Sequence, residues 1–84
     1  MHYVYVLQSE KNGRFYVGYA GDVERRVEEH NRGKVRATRY LRPLEVVYSE
    51  EYVTASEARQ REQEIKAKKS RKYIEGLISG REGL

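Results

Sequence analysis

Apolar and polar positions follow two rhythms along this chain. Tyr3 to Leu7 is an unbroken aromatic and β-branched run, a strand pattern. Ser9 to Gly13 reads as a turn, with Asn12-Gly13 its strongest signal, and Arg14 to Tyr19 reads as the return strand. A two-residue loop puts Tyr16 opposite Ser9 and a four-residue loop puts it opposite Leu7. Either register sets Tyr16 on the face that carries Tyr3, Tyr5 and Leu7, whereas an odd loop would reverse it. The period then lengthens. Asp22 suits the N-cap of a helix through Asn31, with Gly33 just past its end, an inner stripe of Val23, Val27 and His30, and Arg26 on the flank of that stripe. A polar loop closed by Pro43 leads to a third strand, Leu44 to Tyr52, whose alternation is broken at Val46-Val47. Thr54 and Glu57 form a capping box that opens a second helix, and Ser70 suits the cap of a short third one ending near Gly80. The order β-β-α-β-α-α predicts an α+β fold, a three-stranded antiparallel sheet flanked by helices.

Length makes one domain over residues 1–84 the expectation, with a thin core and room for a shallow cleft rather than a deep cavity. Mean hydropathy is −0.93, and no apolar run approaches a membrane span. Cysteine is absent, which excludes disulfides and thiolate zinc sites and fits a reducing compartment. With no visible signal peptide, a cytoplasmic location is expected. The +4 net charge is unevenly spread. Residues 31–44 hold five basic side chains and no acid, and residues 54–73 hold seven basic side chains against three acids, so the remainder is acidic. Two basic segments on an acidic body point to a polyanion such as nucleic acid. The plainer alternative, a solvated helix face with long Lys and Arg stems, is as good for Lys66–Lys72 but weaker for the loop.

One position departs from the hydrophobic pattern. Ala55, Ala58, Glu62 and Ile65 recur at helical spacing on the second helix, so Glu62 falls on an inward stripe. A carboxylate there needs a polar pocket, a partner or a cation. Arg26 and Lys66 are candidate ion-pair partners, and Tyr5 and Tyr16, taken singly, read as core aromatics in a chain with eight Tyr.

Taken in order, these residues resemble a known family. Val4-Tyr5-Val6 followed by Tyr16-Val17-Gly18 resembles the paired motif of GIY-YIG nuclease domains. Arg26 stands ten residues after Tyr16, His30 four further on, and Glu57-Ala58-Arg59-Gln60-Arg61-Glu62 is similar to the family's E-A-x-x-x-E segment. The similarity extends from Tyr3 to about Ile78 and is nearest to small stand-alone bacterial and archaeal members. Tyr19 stands where many members carry Lys, Ile or Thr.

The resemblance implies a metal-dependent endonuclease that hydrolyses phosphodiesters in DNA, in branched, damaged or single-stranded form, with a place in DNA repair. It implies catalytic roles for Tyr5, Tyr16, Arg26, His30 and Glu62, with Glu62 the ligand of Mg²⁺ or Mn²⁺. One carboxylate suffices for such an ion when water and phosphate fill its other positions. Arg26 offers a planar fork for phosphate oxygens. Tyr16 is the candidate base and Tyr5 orients water or shares its proton; at a reference pKa near 10, forming tyrosinate at neutral pH costs about 4 kcal/mol, so cations must surround it. His30 is the alternative proton carrier. Arg36, Thr38, Arg39, Arg42, Lys66 and Lys69 are the expected nucleic-acid contacts, with Tyr40 able to stack on an unpaired base. A monomer or weak dimer is expected. Two rival readings remain: a nucleic-acid-binding module of the same fold without catalysis, and an interaction adaptor, for which exposed apolar Leu77, Ile78 and Leu84 are the hint.

Overall fold

The computed structural model describes residues 1–80 and has the expected order of elements. Strand β1 is His2–Ser9, β2 Phe15–Ala20 and β3 Leu44–Tyr52; helix α1 is Val23–Asn31, α2 Ala55–Lys68 and α3 Arg71–Ile78. The three strands form one antiparallel sheet in the order β2-β1-β3.

The central position of β1 explains its unbroken apolar run. Val4 to Leu7 are each at most 1% exposed, because helices cover both faces of this strand. Val4 and Val6 pack with Val17 against Ala58 and Ile65 of α2 and Leu77 of α3. Tyr5 and Leu7 point the other way, into a second cluster with Leu44, Val23, Val27 and Leu41. The core is thus two thin layers, one on each side of β1.

Between β1 and β2 the chain turns through residues 10–13, the four-residue case. Ser9 N–H donates to Arg14 O at 2.8 Å, Gly13 N–H returns to Ser9 O at 2.9 Å, and Gly13 takes φ 77°, a left-handed value that glycine adopts without penalty. Leu7 therefore faces Tyr16, and Tyr5 faces Gly18. On the other side a bulge interrupts pairing: Val6 meets Tyr48 while Leu7 meets Val46, which leaves Val47 as the extra residue. That bulge is the reason for the broken alternation. Val47 packs on the core and its neighbour Val46 is 42% exposed.

All three helix caps hold. Asp22 accepts from Arg25 N–H, Thr54 and Glu57 close a capping box, and Ser70 accepts from Tyr73 N–H. Helix α2 stops at Lys69, whose φ of 46° ends the helical path. The basic loop is more ordered than expected, since Arg36–Leu41 forms a 3₁₀ helix. Asn31 ties the end of α1 to β3, its amide exchanging bonds of 2.9 and 2.8 Å with Leu44.

Two expectations are corrected here. Ala55, assigned to the inward stripe of α2, lies in its first turn and is exposed, so Ala58 and Ile65 alone form the buried part. Leu77, offered as an exposed contact for a partner, is 3% exposed and belongs to the core. Ile78 is exposed, and Leu84 lies outside the described residues.

Candidate active site

Three elements bring Tyr5, Tyr16, Arg26 and His30 to one end of the sheet. Tyr5 stands on β1 opposite Gly18, and its ring lies across β2 over that glycine. A Cβ at position 18 would sit 2.5 Å from the Tyr5 hydroxyl oxygen and 2.6 Å from Cζ, far inside contact distance. Only glycine lets this ring cross the strand, although its own backbone is ordinary extended structure. Tyr16, two residue pairs along, points to the same face and meets the ring of His30 edge-on at 5.1 Å.

His30 is completely buried, the last inward residue of α1. Its Nε2 lies 3.0 Å from Tyr5 Oη and its Nδ1 lies 2.7 Å from Thr38 Oγ1. Burial and the nearby charge of Arg26 push His30 down to about 4, so the ring is neutral at physiological pH. Tyr5 moves the opposite way, up to about 12, chiefly through burial, with the Arg26 guanidinium opposing the shift. Tyr5 is therefore a neutral phenol. Arg26 is anchored by a 2.9 Å bond to Glu29, which also holds the Glu29 carboxyl below the usual range. Glu29 thus takes the place of Glu62 as the partner of Arg26.

Glu62 approaches from α2, and its charge acts on the Tyr5 hydroxyl against that of Arg26. Its side chain is 13% exposed, so the inward stripe does contain it, at the rim rather than in the core. Lys66 Nζ contacts Glu62 Oε2 at 3.3 Å and also stands 5.7 Å from the Tyr16 ring centroid. Lys66 therefore links the carboxylate to the tyrosine. Among the described residues no three of His, Asp or Glu cluster to make a protein-built metal cage. A hard dication that keeps most of its waters needs less, and Glu62 is the oxygen donor at this site that fits it.

Beside Tyr16 a groove of about 400 Å³ runs round the β2 edge between α2 and α3. Phe15, Val17, Ile65 and Ile74 give it apolar walls, while Arg14, Lys66, Lys69 and Arg71 supply positive charge. Arg71 stacks on Phe15 at 4.5 Å and donates to Gly13 O at 2.9 Å. Lys66 and Lys69, two of the expected nucleic-acid contacts, line this groove, and Arg71 of the same basic segment and Arg14 from outside both segments join them.

The loop residues divide. Arg36, Arg39 and Arg42 are exposed, with Arg39 Nε bonded to Gly33 O at 3.0 Å and Arg42 Nε to Arg39 O at 2.9 Å. Thr38, expected to touch phosphate, has no exposed surface, and its hydroxyl is engaged by His30 and Val35. Its position is corrected from the surface to the layer beneath the site. Thr38 and Gly18 are the residues whose positions composition and motif alone did not explain.

A fold with two tyrosines on one sheet face, an arginine and a histidine on the first helix and a glutamate on the second is the arrangement of a GIY-YIG catalytic domain. The family description "GIY-YIG catalytic domain" matches residues 1–74, and the chain belongs to that family. Members are generally nucleases and typically use divalent metals. Similar proteins include a UPF0213 protein of Staphylococcus saprophyticus, 40% identical over 80 residues, covering 94% of this chain and 96% of the relative. A UPF0213 protein of Staphylococcus aureus is 50% identical over 66 residues, covering 77% and 79% of the two chains. The solution structure of a UPF0213 protein from Bacillus halodurans superposes with a TM-score of 0.59 at 37% identity, covering 98% of this chain and 86% of that one.

Proposed function

We propose that this chain is a divalent-metal-dependent endonuclease that hydrolyses phosphodiester bonds in DNA. The observation that carries the reading is the convergence of side chains from β1, β2, α1 and α2: His30 bonds Tyr5 at 3.0 Å and meets the Tyr16 ring at 5.1 Å, and Lys66 joins Glu62 to that same ring. No packing requirement explains two phenols, a guanidinium and a partly buried carboxylate at one sheet edge, whereas phosphodiester hydrolysis needs a base, cations on the phosphoryl oxygens and a metal anchor.

Glu62 would hold Mg²⁺ or Mn²⁺, whose charge when bound would offset negative charge gathering on the phosphate. Arg26, fixed in aim by Glu29, binds a non-bridging phosphate oxygen through its remaining N–H groups. Tyr16 takes the proton of the attacking water, and Lys66 sets positive charge beside its ring where negative charge gathers. Tyr5 orients that water, and His30 supports Tyr5 from behind. The strand lies along the β2 groove on Lys66, Lys69, Arg14 and Arg71, with Arg36, Arg39 and Arg42 meeting a second stretch of backbone. The protein works as a monomer or weak dimer in the cytoplasm, in DNA repair or processing.

End-labelled duplex, branched, damaged and single-stranded DNA incubated with Mg²⁺ or Mn²⁺ tests this. Cleavage by the parent, abolished in Glu62→Ala, is expected; cleavage of none, or equal cleavage by the variant, refutes it. A second reading, a nucleic-acid-binding module without catalysis, is favoured by the 3.3 Å contact that gives Glu62 a partner in Lys66. Binding that falls steeply with salt and ignores both EDTA and Glu62→Ala would support that reading instead. With Leu77 in the core, the adaptor reading has lost its main hint.

A further inference from the structure

The chain of hydrogen bonds behind Tyr5 has one direction, and Thr38 sets it. At one end is Arg26, whose guanidinium carries only donors and whose positive charge acts on the Tyr5 hydroxyl. Tyr5 cannot give its own hydrogen to Arg26, and with Tyr5 1% exposed the acceptor within reach is His30 Nε2, at 3.0 Å. At the other end is the carbonyl of Val35, which only accepts, and the Thr38 hydroxyl donates to it at 3.3 Å. Thr38 Oγ1 is then left with lone pairs toward His30 Nδ1, 2.7 Å away. The hydrogens fall in one sequence: Tyr5 O–H to Nε2, Nδ1–H to Thr38 Oγ1, Thr38 O–H to Val35 O. Both ends demand the same order, and every buried polar atom in it has a partner.

We propose that Thr38 is a positioning residue that locks His30 in the Nδ1–H tautomer and thereby turns the Tyr5 hydroxyl hydrogen inward. The Tyr5 oxygen then offers the cleft only lone pairs. It faces the Arg26 charge, accepts from the attacking water, and does not donate to the phosphate. This separates two tyrosines that the motif treats as a pair: Tyr5 aligns the nucleophile as a neutral acceptor, and Tyr16 is left to take the proton. The kinetic part rests on the nuclease reading; the tautomer does not.

Long-range ¹H–¹⁵N spectra of the full chain at neutral pH read the tautomer directly. A His30 ring protonated at Nδ1 and bare at Nε2 is expected; protonation at Nε2, or at both nitrogens, overturns the proposal without any variant being made. Thr38→Val keeps the side-chain shape and removes the hydroxyl, so His30 should switch to Nε2–H, while Thr38→Ser keeps Nδ1–H. A Thr38→Val protein that retains the Nδ1–H ring overturns the role of Thr38. In cleavage assays Thr38→Val should lose about tenfold in kcat with KM unchanged, and Thr38→Ser should restore it. Loss confined to KM, or no rescue by serine, counts against the proposal. Should the parent cut no DNA, the nuclease reading fails while the spectra still decide the relay.

Discussion

Gly18→Ala adds one methyl group at the tightest point of the site. The new Cβ would stand 2.5 Å from Tyr5 Oη, 2.6 Å from Cζ and 3.2 Å from Cε1, so the ring must retreat by about 1 Å to reach ordinary contact. It has nowhere free to go. Tyr5 is 1% exposed, packed with Leu7 and Leu44, with His30 edge-on at 5.9 Å and bonded at 3.0 Å. Overpacking of a core costs about 1–3 kcal/mol, and loss of the Tyr5–His30 bond adds about 0.5–1.5 kcal/mol, so the expected destabilisation is about 1.5–4.5 kcal/mol. For a domain of this size that lowers Tm by at least about 6 °C. Urea unfolding followed by far-UV circular dichroism measures it. The same substitution in a Tyr5→Leu background removes the clashing ring; alanine should there be neutral or slightly stabilising, because a strand glycine loses more chain entropy on folding. A Gly18→Ala protein within about 0.5 kcal/mol of the parent, or equal costs in the two backgrounds, would refute the steric account of this glycine.

Three further outcomes follow from the same geometry. His30 is held near 4 in the folded chain and titrates near 6.5 when unfolded, so between those values only the unfolded chain takes up the proton; stability is full above pH 6.5 and falls by about 3 kcal/mol as pH drops to 4. Urea midpoints across that range should show the loss in the parent and not in His30→Gln, and parallel curves would refute it. Glu50 accepts from Tyr52 at 2.6 Å, from Tyr48, and from two nitrogens of Arg61 at 2.9 and 3.1 Å, so Glu50→Ala should cost about 2–4 kcal/mol, and a change under about 0.5 kcal/mol would show that cluster to be incidental. Tyr40 is 81% exposed, so Tyr40→Ala should leave stability unchanged while weakening single-strand binding by about 1–3 kcal/mol; an unaltered Kd excludes stacking there.

Where the sequence was legible, a local rule and the tertiary structure agreed. Asp22, Thr54 and Ser70 cap helices because a side-chain oxygen near free backbone N–H groups needs no distant partner. Even loop parity put Tyr16 on the face of Tyr5, and the four-residue turn fulfilled it. Glu62 broke the inward stripe of α2 and is indeed mostly enclosed. What stayed hidden depends on residues far apart in the chain. Thr38 sits in a cationic loop whose composition suggested solvent, but a buried histidine eight residues earlier needed an acceptor and drew it inward. Leu77 looked exposed because its helix is short, yet α3 folds back on the β1 face that Val4 and Val6 leave open. Arg26 met Glu29 on its own helix rather than Glu62 across the site, since a partner one turn away is held close by the helix itself.

The placement of β1 bears on how such a protein can fail. One strand supplies both thin layers of core and also carries Tyr5, so a lesion between Val4 and Leu7 removes folding and, with it, the chemistry proposed for Tyr5, and the product is cleared as unfolded chain. Glu62 lies on the rim of α2, where side chains can change while the core stays whole. Variants there would persist at full abundance, silent yet still able to occupy the substrate of intact copies. In a genetic screen the two groups should separate cleanly: recessive alleles along the central strand, and dominant-negative ones on the helix that crosses it.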